Sequence, residues 1–199
     1  MSLESRLRHF PMRKPPFVSE RTALLAPTQG RVLEVCIDID SNLPYYSPWV
    51  TDLAMVSLNG RPPERQRGTN DRGVPAERIF LGAETAAFPF SDADFDWVVS
   101  TLTLCRLHDP AAVLREAHRV LKPSGNYAFL EHGRSGDPGA RRLQRWFGPL
   151  WPTIGGCRID CEIDAMISGA GFRIEALDRY RFNRPAALAT LYRGRARPA

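Results

Sequence analysis

The chain has 199 residues, 43% of them hydrophobic and 25% charged, with 27 basic against 22 acidic residues and a formal charge of +5. These values suit one globular domain with its own core and exclude a disordered, fibrous or disulfide-dense chain. No apolar run reaches the roughly 18–20 residues that span a bilayer. Met1 to Arg31 also lacks the apolar centre of a signal peptide, so a cytoplasmic location is expected.

Residues 1–17 mix basic, proline and apolar residues and read as an N-terminal extension. Val18 to Leu25 predicts a short helix, Arg31 to Val35 a first strand, Asp52 to Ser57 a second and Arg78 to Leu81 a third. Residues 58–77 are almost wholly polar, with Pro62, Pro63, Gly60, Gly68 and Gly73. They offer no apolar face for a helix, and a long polar loop is expected there. Phe95 to Ser100 is the next strand. Asp109 then caps a helix with Pro110 at its first position, and Val113, Leu114, Ala117, Val120 and Leu121 fall on one face. Tyr127 to Leu130 predicts a buried strand, Asp160 to Ala170 a helix ending at Gly171, and residues 172–181 and 186–193 a final strand pair. This alternation argues an α/β fold with a mainly parallel sheet, in a single domain over 1–199.

Four cysteines stand at 36, 105, 157 and 161, and thiols are expected in a reducing compartment. Cys157 and Cys161 are spaced to share a helix face. With no histidine or further cysteine beside them in sequence, no zinc centre is expected. Asp38 and Asp40, with Glu34, could instead bind a hard cation such as Mg²⁺ or Mn²⁺. The cluster of Arg193, Arg195 and Arg197 reads as a solvated end. No nucleic-acid signature accompanies it, and no nucleic-acid partner is expected.

Phe95-Asp96-Trp97-Val98-Val99-Ser100, Leu102-Thr103-Leu104-Cys105, the run from Leu114 to Gly125, and Phe129-Leu130-Glu131-His132 together resemble one half of a class I S-adenosylmethionine (SAM)-dependent methyltransferase. The similarity is to the small-molecule, thiol and phospholipid branch. It implies a Rossmann-like fold, a mostly parallel seven-stranded sheet with helices on both faces. In such proteins Val-Leu-Glu-Val is followed by Gly-x-Gly-x-Gly. Here Val32-Leu33-Glu34-Val35 is intact, but the three glycine positions are Cys36, Asp38 and Asp40. Ser57 stands where an acid would hold the ribose.

The resemblance implies SAM contacts from Glu34, Cys36, Asp38, Asp40, Ser57, Ala83, Glu84, Ser100 and Thr101, with affinity weakened or lost. Glu131 and His132, at the end of a strand where open α/β sheets bind ligands, are the candidate catalytic pair. The segment 133–160 reads as a lid. Its Trp146 and Trp151 suit a small apolar acceptor or peripheral contact with a membrane. Three readings stand: a methyltransferase, a methyltransferase-like binding protein without SAM, and an altered enzyme that uses the Asp38 and Asp40 pair.

Overall fold

The computed structural model describes residues 17–81, 87–148, 150, 156–181 and 190–199. The elements in chain order are α1 (Phe17–Leu25), β1 (Gly30–Cys36), β2 (Val50–Ser57), β3 (Glu64–Thr69), β4 (Pro75–Phe80), β5 (Phe95–Thr101), α2 (Pro110–Val120), β6 (Leu121–Gly133), α3 (Pro138–Phe147), α4 (Ile163–Gly169), β7 (Phe172–Arg181) and β8 (Thr190–Pro198). Two single 3₁₀ turns add Leu43–Tyr45 and Leu104–Arg106.

All eight strands form one sheet, in the order β3-β4-β2-β1-β5-β6-β8-β7. β4, β2, β1, β5 and β6 run parallel, β8 is antiparallel to both of its neighbours, and β3 is antiparallel to β4. The strand order reverses at β1 and β5. Open α/β sheets place their ligand crevice at the carboxyl ends of such a pair.

Strand alternation sends neighbouring residues to opposite faces. Leu33, Val35, Val98, Tyr127 and Phe129 pack under α2 and α4, through Val113, Leu114, Ile163 and Ile167. Val32, Leu53, Met55, Trp97, Val99 and Leu130 face the other way, and α1 covers them with Leu24 and Leu25. Helices thus lie on both faces, as expected.

Among the described residues the strand count is eight rather than seven, and the reason lies in residues 58–77. The expected polar loop carries β3, which pairs with β4 from Glu64 opposite Phe80 to Thr69 opposite Pro75. Every β3 residue is exposed, so the strand has no buried face to betray it by alternation. Cross-strand charge holds it instead. Arg65 Nη2 donates to Glu77 Oε2 at 2.9 Å, and Arg67 Nε donates to Glu77 Oε1 at 2.7 Å. Asn70 closes the hairpin, its Oδ1 accepting from the Arg72 and Val74 amides.

Two further expectations shift. The last helix begins at Ile163, not Asp160, because the preceding backbone is tied to neighbouring segments. Arg158 N donates to Cys105 O at 2.6 Å and Arg134 N to Cys161 O at 2.8 Å. Cys157 and Cys161 therefore share no helix face. The C-terminal arginines are also no loose end. Arg193, Arg195 and Arg197 alternate along β8 and meet acids of β7, Asp178 for Arg193 and Glu175 for the other two.

Candidate active site at the carboxyl edge of the sheet

Period-two alternation puts Glu34 on the α1 face, beside Val32. Its carboxylate is fully buried. Asn42 Nδ2 donates to Oε1 at 3.0 Å and Tyr46 OH to Oε2 at 2.8 Å. Asn42 Nδ2 also reaches Thr101 Oγ1 at 2.8 Å, which bridges the ends of β1 and β5. Burial raises the Glu34 pKa to about 7, against the opposing pull of Tyr46, Asn42 and Arg21. Burial also drives the Tyr46 phenol well above its ordinary value.

Arg21 comes to this carboxylate from α1. It is only 3% exposed, and burial lowers its pKa while the Glu34 charge raises it. Its Nη1 approaches Ser41 O at 3.4 Å. Among the described residues its Nε and Nη2 have no hydrogen-bond partner, and neither does Asn42 Oδ1. Buried donors and an acceptor in that state are rare. Two guanidinium donors and an amide acceptor beside a carboxylate could hold the carboxylate and ammonium of an amino acid.

The three positions expected as glycine resolve differently from one another. The Cys36 thiol is buried and donates to Val56 O on β2 at 3.6 Å. Asp38 Oδ2 accepts from Arg106 Nη1 at 3.0 Å, a link across the β1–β5 crevice. Asp40 Oδ1 accepts from Arg78 Nε at 2.8 Å, and its backbone sits at φ +68°. That left-handed turn is the conformation glycine would take most easily, and aspartate tolerates it better than most residues. The two aspartates are thus drawn to different arginines. They do not gather with Glu34 into a three-ligand group among the described residues, so the hard-cation reading has no geometry behind it. Ser57 Oγ donates to Ile37 O at 3.1 Å. Ala83 and Glu84 lie outside the described residues.

Ser100 faces the α2 side and bonds the Tyr127 hydroxyl at 2.7 Å. Glu131 occupies that same side, fully buried, and burial raises its pKa. Its two oxygens accept from Thr103 N at 3.1 and 3.0 Å, and Oε2 also from Cys105 N at 3.4 Å. Leu102, just before, sits at φ +52°, a strained state for a branched side chain. The carboxylate therefore fixes the sharp exit from β5. Both of its oxygens face backbone amides of that turn.

His132 alternates to the α1 side. Phe17 packs against its ring in a T-shaped arrangement, with centroids 6.2 Å apart. Its Nδ1 is 3.4 Å from Cys157 Sγ and 4.0 Å from Cys105 Sγ. These two sulfurs and a nitrogen all lie within 4.8 Å of one another. Sequence spacing had set Cys157 beside Cys161 and missed this group, because its members come from the turn after β5, the end of β6 and the strap before α4. Arg21 was missed as well, although its place three and four residues before Leu24 and Leu25 marks it on their buried helix face.

A family model described as methyltransferase domain matches residues 4–177. The chain belongs to the methyltransferase domain family. Rat thiol S-methyltransferase TMT1B is 37% identical over 105 residues, 51% of this chain and 43% of that protein. Demethylmenaquinone methyltransferase of Roseiflexus castenholzii is 30% identical over 123 residues, 59% of this chain and 51% of its own length. The chain spans about half the length of the curated relatives it matches. Among solved structures, a SAM-dependent methyltransferase from Methanosarcina mazei superposes with a TM-score of 0.63 over 93% of this chain and 98% of its own, at 15% identity. That likeness establishes the Rossmann-like class I methyltransferase fold.

Proposed function

We propose that this methyltransferase domain uses SAM to methylate a small apolar acceptor, and that the acceptor is a thiol. The observation that carries the cofactor is the buried Arg21, Glu34 and Asn42 cluster, whose unpartnered atoms match the charged end of an amino acid. Arg21 would hold the SAM carboxylate, with Asn42 Oδ1 and Glu34 at the ammonium. SAM supplies a methyl group already activated on a sulfonium, so the chain's own work is alignment and exclusion of water. His132, at the carboxyl end of β6, would meet the acceptor. The thiol class is supported by the likeness to rat TMT1B, named as a thiol S-methyltransferase. Weak cofactor binding belongs to this reading. The one proton of Ser57 is committed to Ile37 O, so no bidentate acid is there for the ribose. A missing charged contact of that kind costs ~1.5–3 kcal/mol, roughly a 10- to 150-fold loss in affinity.

A second reading, a binding protein without catalysis, is favoured by one observation. The Asp38–Arg106 and Asn42–Thr101 bonds both cross the crevice that the cofactor would enter. Calorimetric titration with SAM separates the two. Binding that weakens sharply in Arg21→Ala, together with methylation of a small alkyl or aryl thiol, supports the enzyme. A flat titration for both proteins leaves the non-catalytic reading. The lid is also proposed to touch an anionic membrane, on the strength of its exposed apolar and basic residues.

A further inference from the structure

We propose that Cys105, His132 and Cys157 form a three-ligand site for a soft, tetrahedral metal ion, with Zn²⁺ the fitting choice and a fourth position left for an exogenous donor. The donor set, two thiolate sulfurs and an imidazole nitrogen, suits zinc over the hard cations that prefer oxygen.

The distances agree with this assignment. Zinc bonds of about 2.3 Å to sulfur and about 2.0–2.1 Å to nitrogen, at tetrahedral angles, set S···N at about 3.6 Å and S···S at about 3.8 Å. Nδ1 of His132 lies 3.4 Å from one sulfur and 4.0 Å from the other, and no pair in the group exceeds 4.8 Å. Closure needs shifts of a few tenths of an ångström and up to about 1 Å for the sulfur pair, within the reach of a χ1 adjustment.

The donors are also held in place. Cys105 is fully buried in a turn fixed by Glu131, whose Oε2 accepts from its amide. The Cys157 strap is joined to that turn by the 2.6 Å bond from Arg158 N to Cys105 O. Phe17 packs in a T-shaped arrangement against the His132 ring. Such outer contacts orient ligands for a metal. Charge fits too. Zn²⁺ with two thiolates and a neutral imidazole carries no net charge, so the filled site buries no uncompensated ion. Two protons leave to solvent as the thiols bind.

The metal site shares His132 with the acceptor side of the proposed methyl transfer, but its test needs neither SAM nor an acceptor. The full chain, kept reduced with a phosphine, is titrated with Co²⁺ and then with Zn²⁺. One equivalent of Co²⁺ should bring thiolate-to-metal charge-transfer absorption and visible bands of tetrahedral intensity, and Zn²⁺ should remove them. Cys157→Ser and His132→Ala should each weaken metal binding by ~100-fold or more, since loss of an outer contact alone weakens it by about 10- to 100-fold. Cys161→Ser should bind as the unaltered chain does. Far-ultraviolet circular dichroism checks that each variant is folded. Failure of the unaltered, reduced chain to take up Zn²⁺ at micromolar concentration would overturn the site. So would uptake that survives in folded Cys157→Ser and His132→Ala.

Discussion

Burial makes Glu34 harder to ionise than an ordinary carboxyl. Its pKa is about 7 in the folded chain against an ordinary 4.5. Between these values the folded state keeps a proton that the unfolded state has lost. Stability therefore falls as pH rises from about 4.5 to about 7, by up to roughly 3 kcal/mol. Glu34→Gln, neutral at every pH, should lose this dependence. It should match the unaltered chain near pH 4.5 and exceed it by roughly 1–3 kcal/mol at pH 8 in urea melts. Equal pH slopes for the two proteins would show that the carboxylate is not held neutral. Glu34 was legible from the intact Val-Leu-Glu-Val run. Its partners were less so. Asn42 and Tyr46 follow in sequence, but Arg21 and the Cys105, His132 and Cys157 group meet only through the tertiary fold. Residue spacing along one chain carries no sign of such meetings.

Most elements were legible because each has an apolar face with a period. The Asp109 cap and its helix match α2, where Asp109 Oδ1 accepts from Ala112 N at 3.0 Å. β3 was not legible, since a fully exposed edge strand is specified by charge pairs rather than burial. Arg65 and then Arg67 hold the Glu77 carboxyl down to about 2. α3 lies in the expected lid, and its sequence reads more clearly in place. Leu143, Trp146, Phe147 and Leu150 recur at helical spacing and are 49–73% exposed. Arg141, Arg142 and Arg145 line an 850 Å³ groove together with Pro138 and Trp146. Trp151 lies outside the described residues. An apolar stripe edged with arginine suits an anionic lipid surface. Co-sedimentation with phosphatidylserine vesicles should be lowered several-fold by Trp146→Ala and nearly abolished when the three arginines become glutamine. Equal pelleting of these variants would remove the membrane from the picture.

Across the whole molecule, the faces of the sheet are covered unequally. One carries α2 and α4. Among the described residues the other carries α1 and the Leu43–Tyr45 turn, since residues 37–49 join β1 to β2 without an α-helix. Leu25, fully buried, therefore matters more than its short helix suggests. Leu25→Ala should cost about 2–5 kcal/mol in a denaturant melt, and it should weaken SAM binding as well by loosening the helix that carries Arg21. A loss under 1 kcal/mol would mean that something other than α1 supports this face. The helix is in turn anchored late in the chain: Glu20 pairs with Arg193 of β8 at 2.9 Å, and Phe17 packs on His132 of β6. A ribosome making this protein releases α1 well before β8, which supplies one of its anchors. Until β8 emerges, Glu20 lacks its Arg193 partner, although Leu24 and Leu25 can already pack on β1, β2, β5 and β6. One anchor of the helix that carries Arg21 is thus set only after the strands beneath it, and a chain stopped before β8 would hold that helix without its ion pair to the sheet.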